Sequence, residues 1–252
     1  MNDGQLLSLP PLASLASLQK RLESRVRKAL YEHQMIQEGD SIAVALSGGK
    51  DSLTLLQLLH QISGRGFPKI QLVAIHVSGA FSCGASLGGG QLDAFCERLQ
   101  VPLHLCYAEQ KEEGELHCYS CSRERRRLLF AKAKELGAVK VAFGHHREDH
   151  VQTLLMNLLH KGEFAGNLPK VPMLKYGITI LRPLIYAEEQ LISSYAKAAG
   201  FLRAVCRCPV GQTSQRRRTE ELLAHLETLF PYARSNLARA AWLYGSEGAL
   251  EP

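Results

Sequence analysis

The sequence contains no apolar run long enough to cross a bilayer, so we expect no membrane-spanning helix. Its first twenty residues lack the basic start and the continuous apolar segment of a secretory signal peptide. We therefore expect a cytoplasmic protein that does not contact a membrane. The chain also has no internal repeat and no low-complexity segment, and hydrophobic residues make up 46% of its 252 residues. This composition predicts a globular protein with a substantial core.

Acidic residues are fewer than basic ones, 24 against 30, which gives a formal net charge of +6. This excess favours an anionic partner. The chain has seven cysteines. In a protein without a signal peptide, cysteines indicate metal or redox chemistry more often than disulfides.

Apolar segments of two periodicities alternate along the chain. Leucine and valine residues at helical spacing between positions 15 and 30 predict an amphipathic N-terminal helix. Strand-like segments follow at 41–46, 70–77, 101–107, 139–143 and 178–181, and helical segments at 53–60, 92–99, 122–136, 150–159 and 188–199. This alternation predicts an α/β fold, with a parallel sheet flanked by helices.

Three parts of the chain are predicted on this basis. They are an N-terminal helical extension (1–37), an α/β domain with an inserted cysteine segment (38–205) and a cysteine-containing helical tail (206–252). The tail has helical segments at 219–229 and 232–243. The region Gly162–Gly177 is rich in glycine, proline and lysine, and we expect it to be a surface loop.

A glycine turn, Ser47-Gly-Gly-Lys-Asp-Ser52, joins the first strand to a buried helix. Glycines let the backbone approach an anion closely, and the helix start directs free N–H groups at it. We predict that Ser47, Gly48, Gly49, Lys50 and Ser52 hold phosphate oxygens and that Asp51 binds Mg²⁺. The alternative is a simple turn capped by Asp51 or Ser52, but such a turn requires neither Lys50 nor both serines. The spacing is not that of a Walker A motif.

Other polar residues fall at the same predicted edge, beyond the carboxyl ends of the strands, where ligands of parallel sheets bind. His76 ends the second strand, and Gly144-His-His-Arg-Glu-Asp149 follows the fourth. We include His76 and Gly144 in the predicted nucleotide site. His145 and His146 are compatible with phosphate contact, proton transfer, capping or packing.

Two cysteine pairs stand in polar, arginine-rich sequence: Cys118-x-x-Cys121 and Cys206-x-Cys208. Three interpretations remain: a structural zinc on all four, an iron–sulfur cluster on three with one iron open, or buried apolar cysteines. Cys96 and Cys106 have apolar neighbours and are predicted to pack in the core. Cys83 is interpreted as incidental.

Arginine runs directly follow both cysteine pairs, near the starts of predicted helices. They are Arg123, Arg125, Arg126 and Arg127, and Arg216, Arg217 and Arg218. Cations near a helix N-terminus oppose the helix dipole, typically by about 0.3–1 kcal/mol each. Their repeated placement beside cysteines favours a surface for RNA phosphates over two solvated helix faces.

The turn SGGKDS resembles the signature of the PP-loop ATP pyrophosphatase superfamily, which has a Rossmann-like (HUP, adenine nucleotide alpha hydrolase-like) fold. Members cleave ATP between the α and β phosphates and adenylate a carbonyl oxygen, and a nucleophile then displaces AMP. Three further matches make the chain similar to TtcA-type tRNA 2-thiocytidine synthetases from about Ser24 to Leu229. They are Cys118-x-x-Cys121-Ser-Arg, GHHREDHVQT and Cys208-x6-Gln215-Arg216.

This second resemblance implies a tRNA thiolase. Cys118, Cys121 and Cys208 would ligate a [4Fe–4S] cluster, and Asp149 would join Lys50 and Asp51 in holding ATP and Mg²⁺. Cys206 departs from the usual Cys-x-x-Cys spacing of this segment, and the family commonly has Asp-Asp where this chain has Glu148-Asp149. The C2 oxygen of cytidine at tRNA position 32 would be adenylated, and sulfide on the cluster would replace it. A cysteine desulfurase would supply the sulfur, and a homodimer is one assembly that we consider.

Two rival functions keep part of this chemistry. One is an enzyme that uses the same ATP chemistry to thiolate a tRNA uridine or to ligate an amino acid to cytidine. The other is a zinc-stabilised module that binds ATP and RNA without sulfur transfer.

Overall fold

The computed structural model describes residues 14–78, 89–108, 118–201 and 215–245. Six strands lie within these ranges: β1 (Ser41–Ala45), β2 (Gln71–Ser78), β3 (Leu103–Tyr107), β4 (Lys140–Ala142), β5 (Lys170–Met173) and β6 (Ile178–Leu181). Eight α-helices lie within them: α1 (Leu15–Glu32), α2 (Lys50–Ile62), α3 (Gly89–Arg98), α4 (Cys118–Glu135), α5 (Arg147–Lys161), α6 (Glu189–Ala198), α7 (Gln215–Leu229) and α8 (Ala233–Tyr244). None of these described helices is long and apolar enough to span a membrane.

The strands form one sheet in the order β3-β2-β1-β4-β6-β5, and β1, β2, β3, β4 and β6 are parallel. The predicted α/β class is confirmed. The chain runs from β1 outward to β3 and then returns to the other side of β1 as β4. This reversal places a crevice between the carboxyl ends of β1 and β4, which is where open parallel sheets bind their ligands.

The prediction of a plain loop over Gly162–Gly177 is wrong for its second half. Residues Lys170–Met173 form β5, which pairs antiparallel with β6, and a 3₁₀ turn over Leu174–Tyr176 connects the two strands. Pro172 cannot donate a hydrogen bond to a neighbouring strand, so it fits only at the edge of a sheet. The strand β5 lies at that edge.

Two hydrophobic clusters cover the two faces of the sheet. One joins α1, α2 and α6 to the sheet, and Leu22 of α1 and Leu56 of α2 are fully buried in it. The other joins α4 to the opposite face through Phe130. The helix α1 therefore shares a core with the α/β domain, because its leucine face is buried against that domain.

The last two helices, α7 and α8, pack on α5 and on each other. An aromatic group ties this end of the chain to α1. Trp242 of α8 stacks on His150 at a centroid distance of 5.4 Å and meets Tyr186 edge-on at 4.9 Å. The Tyr186 hydroxyl in turn lies 2.8 Å from His33 Nε2, just after α1.

Candidate active site

The glycine turn and the histidine–acid segment face each other across the crevice between β1 and β4. The α2 helix begins at Lys50, inside the glycine turn and three residues earlier than predicted. The α5 helix begins at Arg147, so the histidine–acid segment forms its first turn. A Cβ atom on Gly144 would lie 3.0 Å from Asp51 C and 3.0 Å from Ser52 N. Glycine at this position therefore lets the two helix starts touch.

Hydrogen bonds between its two serines hold the glycine turn in shape. The hydroxyls of Ser47 and Ser52 lie 3.1 Å apart. The Ser52 hydroxyl donates to the Gly49 carbonyl at 3.0 Å, and the Gly49 N–H donates to Ser47 Oγ at 3.2 Å. Gly48 has φ +82°, a backbone conformation that favours glycine. The turn is thus built before any ligand enters.

Lys50 lies between two carboxylates. Its ammonium is 3.0 Å from Asp51 Oδ1 and 3.0 Å from Glu189 Oε1, which belongs to the first turn of α6. Burial lowers the pKa of Lys50, but the hydrogen bonds and charges of Asp51 and Glu189 outweigh it and raise the pKa overall. Lys50 is therefore a cation held in place at the start of α2. Glu189 lies far from the turn in sequence, so sequence reasoning missed it.

His76, which was predicted to contact the nucleotide, is buried at the end of β2. Its Nδ1 lies 2.7 Å from the Leu46 carbonyl oxygen, directly before the glycine turn. This contact lets His76 support the turn from the neighbouring strand.

His146 is a buried residue ringed by three carboxylates. Its ring nitrogens lie 3.2 Å from Glu148 Oε2, 3.5 Å from Asp149 Oδ2 and 3.9 Å from Asp51 Oδ1. Burial lowers the pKa of His146, but the hydrogen bond to Glu148 and the nearby negative charges raise it overall. The imidazole therefore links the glycine turn to the first turn of α5.

Glu148 connects the start of α5 to the start of α6. Its Oε2 accepts the Glu189 N–H at 2.8 Å, and its Oε1 accepts Arg147 Nη2 at 2.8 Å. Burial raises the pKa of Glu148, but its hydrogen bonds to His146, Arg147 and the Glu189 N–H, with the Arg147 charge, lower it to about 2. The Glu148 side chain thus anchors the start of α6.

Asp149 joins the nucleotide side of the site to the C-terminal helices. Its Oδ2 accepts the His146 N–H at 3.0 Å, and its Oδ1 lies 3.3 Å from Arg216 Nη1 in the first turn of α7. Burial raises the pKa of Asp149, while the charge of His146, the charge of Arg216 and that hydrogen bond lower it overall. The carboxylate is therefore ionised at the meeting point of α5 and α7.

The predicted arginine runs lie at the starts of α4 and α7, and their members have different surroundings. Arg125 Nη2 donates to the Val77 carbonyl at 2.6 Å, which brings the start of α4 to the end of β2. Arg127 pairs with Glu124 at 2.7 Å, and Arg217 pairs with Glu221 at 3.3 Å. Arg123, Arg126 and Arg218 are exposed.

The predicted cluster ligands are only partly within the described structure. The backbone of Cys118 and Cys121 lies in the first turn of α4, which begins four residues earlier than predicted. Cys83, Cys206 and Cys208 lie outside the described residues. Among the described residues, no three or more His, Cys, Asp or Glu side chains are placed so that together they could hold a metal ion. Cys96 is buried and Cys106 partly buried, and burial raises the pKa of both thiols.

Comparisons with known proteins point to one family. Residues 18–202 match the model of the PP-loop domain. The chain is 35% identical over 230 residues to a tRNA-cytidine(32) 2-sulfurtransferase of Pelobacter propionicus, covering 88% of this chain and 84% of that protein. It is also 35% identical over 227 residues to the enzyme of that name from Geobacter sulfurreducens, covering 88% of each.

A solved structure supports the fold. The U34-tRNA thiolase NcsA from Methanococcus maripaludis, determined with its [4Fe-4S] cluster, superposes with a TM-score of 0.74 at 22% identity, covering 90% of this chain and 78% of that one. The domain model and the two relatives confirm the resemblance to the TtcA-type tRNA 2-thiocytidine synthetases. The chain belongs to the PP-loop domain family and, within it, to the tRNA-cytidine(32) 2-sulfurtransferases.

Proposed function

We propose that this chain is an ATP-dependent tRNA thiolase that replaces the C2 oxygen of cytidine 32 with sulfur. The observation that carries the proposal is the position of Asp149. One of its oxygens meets the His146 ring beside the glycine turn, and the other meets Arg216 of the arginine-rich helix. The Asp149 carboxylate would therefore lie between the nucleotide site and the cationic surface.

The glycine turn would bind the ATP phosphates. The backbone N–H groups at the start of α2 and the hydroxyls of Ser47 and Ser52 would contact phosphate oxygens, and Lys50 would offset their charge. Entry of the phosphates would require Lys50 to exchange a carboxylate partner for them, because Asp51 and Glu189 both hold it at 3.0 Å. Gly144 keeps the opposite wall close to the turn.

Asp51 and Asp149 would hold Mg²⁺. The two carboxylates approach the same ring nitrogen of His146, at 3.9 and 3.5 Å, so their oxygens approach each other across the crevice. Mg²⁺ in nucleotide sites is usually bound by one or two carboxylates together with substrate phosphates, and this pair fits that pattern. When bound, Mg²⁺ would neutralise charge on the leaving pyrophosphate.

Cys118, Cys121 and Cys208 would hold a [4Fe–4S] cluster. Cys118 and Cys121 are three residues apart in the first turn of α4, a spacing that puts their Cα atoms on one face of the helix. Arg125, one turn further on, ties this end of α4 to the carboxyl end of β2. A cluster there would supply an open iron for sulfide, next to the edge of the sheet where the nucleotide binds.

The reaction would then proceed in two stages. The cytidine C2 oxygen attacks the α phosphate of ATP, pyrophosphate leaves, and Lys50 stabilises the charge that develops on the phosphates. The sulfur would come from a cysteine desulfurase as a persulfide, and a thiol reductant would reduce it to hydrosulfide. The hydrosulfide adds at C2, and AMP leaves with the former C2 oxygen. The exposed arginines at the starts of α4 and α7 would hold the tRNA phosphates during both stages. The division at residues 37 and 205, the cytoplasmic location and a homodimer remain predictions.

Nucleoside mass spectrometry of tRNA from a deletion strain tests the proposal. We expect 2-thiocytidine to be lost and to return with the wild-type gene. Cys208→Ala should not restore it, whereas Cys96→Ala should, because Cys96 of α3 is buried in the hydrophobic cluster that does not include α4. Loss of 2-thiouridine with 2-thiocytidine retained would replace the proposal by its uridine rival.

Anaerobic purification separates the remaining rival. An iron-containing brown protein that loses its iron in Cys208→Ala supports thiolation. A colourless zinc protein whose deletion changes no thionucleoside would refute it in favour of the binding module.

A further inference from the structure

Arg182 is a partly buried arginine that no prediction from the sequence included. It directly follows β6, at the same edge of the sheet as the glycine turn. Its Nε donates to His145 Nδ1 at 3.3 Å, and its Nη1 donates to the Leu168 carbonyl. The ring of His145 is itself stacked on Phe143. The guanidinium is therefore held in a defined direction at the wall of the crevice.

The acceptors of Arg182 carry no negative charge. Burial and the positive charges of Arg182, Arg216 and Arg126 lower the pKa of His145 to about 3, so its imidazole is neutral. The other acceptor is a main-chain carbonyl. Removing a guanidinium from water without an anionic partner is costly, and such an arrangement is typical of a site that receives an anion.

Two more arginines, Arg126 and Arg216, carry positive charges that act on Arg182. Arg216 of α7 contacts Asp149, which also lies close enough to act on Arg182. Burial and the charges of Arg126 and Arg216 lower the pKa of Arg182 to about 10, although Asp149 opposes them. Arg216 and Arg182 therefore both act on the Asp149 carboxylate.

We propose that Arg182 and Arg216 form a phosphate-binding site beside Asp149, separate from the glycine turn. A guanidinium matches a phosphate oxyanion with two parallel donors, and a directed arginine loses little freedom on binding. The phosphate would come either from the pyrophosphate end of the nucleotide or from the tRNA backbone. This inference rests on the proposed function, because that function brings both phosphates to this edge.

Binding measurements on three variants test the site. The probes are inorganic pyrophosphate with Mg²⁺ and a short RNA with the sequence of an anticodon stem-loop. We expect Arg182→Gln to weaken one probe by about 10- to 100-fold, the usual cost of one charge-assisted contact. Arg182→Lys should retain part of the affinity, because it keeps the charge but loses the planar pair of donors. Arg27→Gln is the control. Arg27 donates to the Arg65 carbonyl at 3.0 Å, just beyond the end of α2 that is opposite the glycine turn.

The result identifies the source of the phosphate. Loss of pyrophosphate affinity assigns the site to the nucleotide. Loss of RNA affinity with a flatter salt dependence assigns it to the tRNA backbone. Both affinities within about two-fold of the Arg27→Gln values would overturn the proposal.

A second variant tests the proposal if Arg182→Gln does not fold. If Arg182→Gln does not fold, Arg216→Gln, on an exposed side chain, should weaken the same probe, and unchanged binding there would also overturn the proposal. Neither probe is thiolated, so the binding result stands apart from the presence of 2-thiocytidine in cells.

Discussion

The glycine turn and the arginine-rich starts of α4 and α7 lie at one edge of the sheet, but they are built differently. Hydroxyls and backbone groups form hydrogen bonds with one another inside the turn, and glycine at position 144 lets the opposite wall of the crevice lie close to it. At the helix starts, the side chains of Arg123, Arg126 and Arg218 are exposed. The first region is a turn closed by its own hydrogen bonds, and the second is an exposed cationic surface.

This difference fits the two ligands that we propose. A small nucleotide must be placed to within a fraction of an ångström for phosphoryl chemistry, and a rigid turn does this. An RNA backbone offers many equivalent phosphates, and a set of exposed cations can bind it without a unique geometry. Single changes in the turn should therefore act strongly, whereas single changes among the arginines should act weakly.

The largest expected effect is on catalysis by the turn. Lys50→Ala or Asp51→Asn should lower tRNA-dependent release of AMP about 100-fold or more. The first removes the cation that would contact the phosphates, and the second removes a carboxylate that would hold Mg²⁺. The ion pair is partly exposed, with 23% and 30% of the side chains accessible, so the melting temperature should change little. Lys132→Ala, at 26% exposure in an ion pair with Glu135, is the matched control. Normal AMP release would contradict the assignment of the turn.

Glu148→Gln should destabilise the fold by about 1.5–3 kcal/mol, because it weakens charged hydrogen bonds to Arg147 and to the Glu189 N–H. The pKa of Glu148 is lowered to about 2, so its stabilisation is complete above its ordinary value of 4.5 and is lost as pH falls toward about 2. Chemical denaturation of wild type and variant across this range should show their difference shrinking with acid. Glu124→Gln, on the exposed side of α4, should cost less than about 1 kcal/mol.

Gly144→Ala should destabilise the protein by about 1–3 kcal/mol and reduce nucleotide affinity, because the added Cβ meets the backbone of Asp51 and Ser52 at 3.0 Å. Gly90→Ala is the control: a Cβ there meets nothing within 4 Å, and alanine favours the helix. Thermal unfolding with and without ATP measures both effects. Equal behaviour of the two variants would mean that the walls of the crevice are not in contact.

The smallest effects are expected from single arginines of the two helix starts. Arg123→Gln, Arg217→Gln and Arg218→Gln should each weaken tRNA binding modestly. Each phosphate contact that is lost should reduce the slope of log K against log salt by about 0.7–0.9. Arg125 is a poor test, because its guanidinium holds the Val77 carbonyl. Arg239→Gln is the control: Arg239 is an exposed residue of α8, and its replacement should leave the slope unchanged. An unchanged slope in all variants would make these arginines an ordinary solvated surface.

The order of strands and helices could be predicted because each element carries its own periodicity. The β-branched run of β1 and the leucine spacing of α1 are local signals, and both elements lie where predicted. The meeting of the glycine turn with Gly144 also followed, since the carboxyl ends of parallel strands share one edge.

Other features depend on distant residues and could not be predicted. The edge strand β5 is short and contains Pro172, so its composition resembled a loop. The partners of Lys50 and Glu148 on α6 lie about 140 and 40 residues further along the chain. Arg182 gave no signal at all, because its role depends on three neighbours that the fold brings together.

The stacking of Trp242 on His150 gives the protein an intrinsic fluorescent reporter. The chain has a single tryptophan, and its indole packs against the residue that follows Asp149. Its emission therefore reports on the place where α8 meets the start of α5 and Tyr186. An event that moves α5 or α8 will change that emission without any added label.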